Sequence, residues 1–187
     1  MHKNLIRNGC VAIGLSMAMG ALTAQASVAS TPTVSAEPSS GPTKGHLRVE
    51  WVPDGSVEDK GVLSVFRDGV RIQSIPQQTF LSPDAQPYLQ MEDLSGDGYQ
   101  DLLFMHMRGG SGQDFHLVYL WVPALNRFVE SQTLSDQGEI AKLDNPGCVS
   151  MTNECQGRTG YVRQDFCFNT AAGRWRLVRT ERYQCPT

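Results

Sequence analysis

From Gly45 onwards, apolar and polar residues alternate with a period of two rather than the three-to-four spacing of a helix. "HLRVEWV" alternates in this way and stops at the turn "PDG". "GVLSVFRDGVRIQSI" reads as two strands joined at Asp68-Gly69, a dipeptide that accepts the positive φ of a two-residue hairpin. "PYLQMED", "DLLFMHM", "FHLVYLWV" and "FVESQTL" follow, the last two separated by "PALNR". The C-terminal third supplies "GCVSM", "GYVRQDFCFN" and "RWRLVRTERYQC", with Gly173 near the last turn. "SDQGEIAKLD" is too short and too polar to stand against this pattern. The chain therefore predicts an all-β single domain of antiparallel meanders.

The N-terminus follows a different rule. Lys3 and Arg7 precede the apolar run "CVAIGLSMAMGALT", and "AQA" ends at Ala26. This is the layout of a secretory signal peptide, with an apolar part too short for a membrane anchor. Residues 1–26 are expected to be removed on export to the periplasm, leaving no transmembrane anchor. The next stretch, "SVASTPTVSAEPSSGPT", is rich in Ser, Thr, Pro and Ala and reads as a flexible tether over 27–44. The folded domain is expected over 45–187.

Charge and cysteine content narrow the function. The full chain has 16 basic and 19 acidic residues, a net charge of −3. Loss of Lys3 and Arg7 leaves 14 against 19, or −5. An acidic chain without a basic cluster is not built to hold nucleic acid. Cys10 lies in the leader, and Cys148, Cys155, Cys167 and Cys185 remain. An even number in an exported protein reads as two disulfides, and the spacings are too wide for a zinc site. Four cysteines allow three connectivities. A hairpin of the last two strands favours Cys148–Cys167 with Cys155–Cys185.

The densest chemistry lies in "DLSGDGYQD". Asp93, Ser95, Asp97 and Asp101 fall at positions 1, 3, 5 and 9 of a loop, with Gly98 at the bend and the Tyr99 carbonyl at position 7. Alternate oxygens in a tight loop suit a hard cation such as Ca2+. Position 12 is Phe104 rather than the bidentate Glu of an EF-hand, so the pattern is closer to the loop of FG-GAP and β-propeller-type repeats. The same residue types also form metal-free Asx-turns. A structural Ca2+ is favoured because three nearby carboxylates repel one another unless neutralised.

A second loop, "RGGSGQDF", joins two apolar strands and lacks the Lys and following helix of a phosphate loop. It is longer than a minimal hairpin and presents polar groups outward, where recognition commonly resides. Taken together, "MEDLSGDGYQDLLFMHMRGGSGQDFHLVYLWVPALNRFVES" resembles the periplasmic immunity proteins of the Xanthomonas type IV secretion system, relatives of the periplasmic lysozyme inhibitors. The shared pattern is D-x-[NS]-x-D-G-Y-x-D-[LI], an apolar strand, G-G-S-G-x-x-[YF], and a strand bearing an aromatic such as Trp121. It covers about a quarter of the chain closely. The resemblance implies a β-propeller-like or lysozyme-inhibitor-like fold and a Ca2+-binding inhibitor of a lysozyme-like peptidoglycan hydrolase. It implies that Ser111 and Gly112 enter the enzyme's cleft between its catalytic carboxylates, flanked by Gly110, Asp114 and Phe115, with the Ca2+ loop bracing their base. Phe115 stands where the pattern usually has Tyr, which removes a hydroxyl. Tyr161 is a candidate contact from a second loop.

Two other functions compete. An enzyme would have to use His106 or His116 with Asp97, Asp101 or Asp114, yet Ser111 lacks a G-x-S-x-G elbow and the carboxylates are better explained as ligands. The chain is therefore read as a non-enzyme. The alternative is a calcium-stabilised β module that binds a glycan or an envelope protein, for which exposed tryptophans such as Trp51 or Trp175 would provide stacking platforms.

Overall fold

The computed structural model describes residues 33–36, 47–54, 60–81, 88–110, 112–153 and 160–184, the first of these by backbone alone. The leader, most of the 27–44 stretch, Ser111, Cys155 and Cys185 lie outside the described residues. Among the described residues, twelve strands form three four-stranded sheets in which every neighbouring pair is antiparallel. The first sheet contains β1 (Thr33–Ala36), β2 (Leu47–Pro53), β3 (Lys60–Arg67) and β4 (Val70–Gln78). The second contains β5 (Tyr88–Glu92), β6 (Asp101–Arg108), β7 (Asp114–Val122) and β8 (Arg127–Glu130). The third contains β9 (Glu139–Lys142), β10 (Cys148–Asn153), β11 (Tyr161–Asn169) and β12 (Arg174–Tyr183). Among the described residues the single helical piece is a 3-10 turn at Pro123–Leu125, and no helix is long and apolar enough to cross a membrane.

The all-β meander expectation holds. Asp68 and Gly69 take φ of 50° and 81°, the two positive values that a type I′ hairpin needs. Two strands were not foreseen. β9 is a polar edge strand whose sequence, "EIAK", carries almost no apolar signal. β1 lies inside the stretch read as a tether and pairs Thr33–Ala36 with Leu47–Glu50. Backbone pairing of this kind needs an open strand edge rather than an apolar side-chain pattern, so composition did not reveal it.

The middle sheet positions everything else because both of its faces are covered. Leu102, Phe104, Leu117, Tyr119 and Trp121 pack against Leu47, Val49, Trp51, Leu63 and Val65 of the first sheet. Leu103 and Val118 point the other way and pack with Val149, Met151, Phe166 and Trp175 of the third. This explains the unbroken run "LLFM" in β6: a strand buried on both faces has no polar position to alternate with. Trp51 and Trp175 are core residues, 3% and 9% exposed, and offer no stacking platform.

Cys148 and Cys167 are directly opposed in the β10–β11 register and form a disulfide. It links residues 19 apart. Closing a loop of that length removes roughly 3 kcal/mol of denatured-state entropy. Reduction, or a Cys148→Ser/Cys167→Ser double variant, is expected to lower the urea-unfolding free energy by about that amount. A change below ~1 kcal/mol would show that the sheet packing alone sets the stability.

Candidate functional site

The 93–101 loop connects β5 to β6 and is organised around two carboxylates. Asp93 accepts hydrogen bonds from the amides of Gly96 (2.7 Å) and Gly98 (3.0 Å), and Asp97 accepts one from Tyr99 (2.9 Å). Asp101 is fully buried. Its Oδ2 accepts from the amides of Leu94 and Ser95 at 3.0 and 3.1 Å, and its Oδ1 from the amide of Trp121 at 3.0 Å. One side chain therefore ties the start of β6 to the loop before it and to β7. Burial pushes its carboxyl up to about 7, against the pull of the three amides, with the negative charge of Asp97 adding to the rise. Leu94 anchors the loop in the core between the second and third sheets. Gly96 and Gly147 meet backbone to backbone, both at positive φ. A Cβ on Gly96 would lie 2.7 Å from the Gly147 nitrogen, and one on Gly147 2.6 Å from the Ser95 carbonyl oxygen. Only glycine suits either position.

These residues accommodate a hard cation in part. Ser95 Oγ is buried without a hydrogen-bond partner, as a ligand oxygen at the third position of such a loop would be. Asp93 is half-buried and Asp97 exposed, and each keeps lone pairs beyond those given to amides. Asp101 differs, since three of its roughly four acceptor positions already serve the backbone. Among the described residues, no three His, Cys, Asp or Glu side chains converge on a ready-made metal cage.

The second loop leaves the opposite end of β6. Its neck is closed by Arg108, whose Nε and Nη2 donate to Asp114 at 2.6 and 3.0 Å, and by Gly109 N–H donating to the Gln113 carbonyl at 2.8 Å. The Arg108 partnership holds the Asp114 carboxyl below its usual range. Gly112 N–H donates to the Gly109 carbonyl at 2.9 Å. Gln113 is buried and its amide donates to the Thr152 carbonyl of β10 at 2.7 Å, fastening the neck to the third sheet. Gly110 and Gly112 are exposed, and a Cβ added to either would meet nothing within 4 Å. Phe115 is a half-buried strand residue paired with Met107.

This placement corrects one expectation. The 93–101 loop enters β6 at Asp101 and the 109–113 loop leaves it after Arg108, so an eight-residue strand separates them, about 23 Å. The acidic loop does not brace the base of the glycine loop. Residues that sequence reasoning did not connect surround that base instead. A bulge between Met105 and Met107 lets buried His106 pair its Nε2 with Asp136, from the turn after β8. Asp136 N–H donates to the His116 carbonyl (3.0 Å), and Phe80 N–H to the His106 carbonyl (2.5 Å). His116 has a buried Nδ1 without a partner, and burial lowers its pKa, with Asp114 opposing and His106 adding to the drop. His106 thus pairs with Asp136, and His116 lies under the influence of Asp114, whereas Asp97 and Asp101 sit at the other end of β6. No sequence spacing signalled Asp136, because 30 residues separate it from His106. Tyr161 does share this end of the molecule, since neighbouring Val162 pairs with Asn153 beside the Thr152 anchor. Its ring stacks on Tyr183 at 4.6 Å. No family model, curated protein or solved structure matches the chain.

Proposed function

We propose that this protein is a secreted periplasmic inhibitor, with the role of an immunity protein, of a lysozyme-like peptidoglycan hydrolase, and that the 109–113 loop is the part that enters the enzyme's cleft. The observation that carries the reading is a loop whose neck is cross-bonded and whose described glycines, Gly110 and Gly112, are exposed. Ion pairing, backbone bonding and the Gln113 anchor hold its two ends, while a Cβ on either glycine would meet nothing within 4 Å. Preorganisation of this kind reduces the entropy lost on binding. A glycosidase acts through two carboxyl groups in defined protonation states, so small residues lodged between them would stop it without any chemistry on the inhibitor's part. Ser111 supplies the hydroxyl in this reading, Asp114 and Phe115 flank the neck, and Tyr161 lies at the same end.

A Ca2+ ion belongs to the same proposal as a structural element at the far end of β6. Asp93, Ser95, Asp97 and the Tyr99 carbonyl would hold it, with Asp101 completing the set or clamping the loop behind it. The ion would contribute stability rather than loop placement.

A peptidoglycan-clearing assay tests both parts, using lysozyme-fold hydrolases that include those secreted by the source bacterium. Gly110→Trp places a bulky group where there is room for it and no positive φ to strain. It is expected to abolish inhibition and to shift the melting temperature by less than about 2 °C, in keeping with a surface change. Asp97→Ala is expected to remove the dependence of the melting temperature on Ca2+ while leaving inhibition intact. Full inhibition by Gly110→Trp would sink the loop assignment. A Ca2+ response unchanged in Asp97→Ala would sink the ligand assignment.

A further inference from the structure

On β3 the positions facing the middle sheet are Leu63, Val65 and then Arg67. A guanidinium thus continues an apolar row, and its carbon lies 4.9 Å from the centre of the Trp121 ring. Stacking accounts for the face of the guanidinium but not for its edge. Arg67 Nη1 donates to Asn126 Oδ1, just after the Pro123–Leu125 turn. Arg67 Nε and Nη2 are buried with no acceptor, and so is the Nε1 of Trp121, a residue only 2% exposed. Three buried donors without an acceptor are costly, roughly 1–3 kcal/mol each. Such groups in a native structure call for an explanation, ordered water or a bound ligand among them.

We propose that Arg67 and Trp121 form a binding site for a carboxylate, closed by the 123–126 turn. Nε–H and Nη2–H of an arginine point in parallel from one edge, the geometry that grips the two oxygens of a carboxylate. The unpartnered Trp121 N–H, on the ring against which the guanidinium packs, is the further donor assigned to the ligand. Charge selects the class of ligand. One guanidinium balances one negative charge, whereas a phosphate dianion would leave an uncompensated charge in a buried place. The closing turn buries none of its own side chains, and Asn126 stands in the left-handed region at φ 50°. Access to the fork is assigned to that exposed turn, whose Asn126 Oδ1 holds the neighbouring Nη1. The carboxylate can come from a small organic acid or from the end of a polypeptide chain, and both present the same planar group.

Amide and indole NMR on the 15N-labelled protein tests this, with Trp51 and Trp175 as internal references. Sodium acetate is titrated against sodium chloride at matched ionic strength, and a short alanine peptide with a free C-terminus against its amide. Acetate is expected to move the Trp121 indole resonance saturably, with a dissociation constant on the order of millimolar, and chloride is not. Arg67→Lys keeps the charge but loses the fork, and is expected to weaken binding about tenfold or more. Asn126→Ala leaves Arg67 in place and removes its tie to the turn, so it should bind acetate at least as tightly as the parent. Tighter binding of the free-acid peptide than of acetate identifies a polypeptide terminus as the source. Equal or weaker binding identifies a small acid. Linear shifts identical for acetate and chloride, in both the parent and Asn126→Ala, would overturn the proposal and leave ordered water as the partner of these donors.

Discussion

Replacement of Asp101 by alanine is expected to remove roughly 3–6 kcal/mol of stability, enough to unfold much of the population of a domain this size. Three buried amides, from Leu94, Ser95 and Trp121, depend on its two oxygens. Alanine offers no acceptor, and the site has no solvent to take over, because Asp101 is 0% exposed. Asp101→Asn separates charge from geometry. Its one oxygen can face Trp121 or the Leu94–Ser95 pair but not both, and its NH2 then confronts an N–H donor. It should therefore lose at least half as much as alanine. Urea denaturation followed by tryptophan fluorescence measures both variants. A loss below about 1 kcal/mol for Asp101→Ala would mean that the loop relaxes onto other acceptors.

That role was only partly legible in the sequence. The spacing of Asp93, Ser95, Asp97 and Asp101 announced an oxygen-rich loop, but spacing cannot distinguish an oxygen aimed at a cation from one aimed at an amide. The partner amide of Trp121 lies 20 residues away, on a strand whose register only folding sets. The strands themselves were readable because period-two alternation and the Asp68-Gly69 turn are local. Their stacking was not, and the assumption that the two loops share a root failed for that reason. In an antiparallel meander successive loops fall at opposite ends of the strand between them. A two-loop site on one side therefore needs alternate loops. The structure supplies this at the 109–113 end, where the neck meets Asp136 and the β10–β11 region through His106 and Gln113. Arg67 illustrates the converse. The strand that carries it was legible, but neither its role nor the absence of an acceptor appears until Trp121 lies beneath it.

The second large effect concerns the two faces of β6. If the middle sheet had one wet face, adjacent positions on that strand would differ sharply in their tolerance of substitution. Leu103 and Phe104 are instead 4% and 0% exposed, in separate hydrophobic clusters on opposite sides of the sheet. Phe104 packs its ring against Trp51 at 5.0 Å, whereas Leu103 lies among Val118, Val149 and Met151. Phe104→Ala is expected to cost about 3–5 kcal/mol and Leu103→Ala about 2–5 kcal/mol, each made up of lost transfer energy and a residual cavity. The clusters share no side chain, so the double variant should approach the sum, within about 0.5 kcal/mol, as far as enough folded protein remains to measure it. Equilibrium urea unfolding of the three variants decides the matter. A Leu103→Ala loss under about 1 kcal/mol would mean that the third sheet does not seal this face. β6, with the Asp101 clamp at one end and the Arg108 neck at the other, would then lack the rigidity that the loop proposal requires.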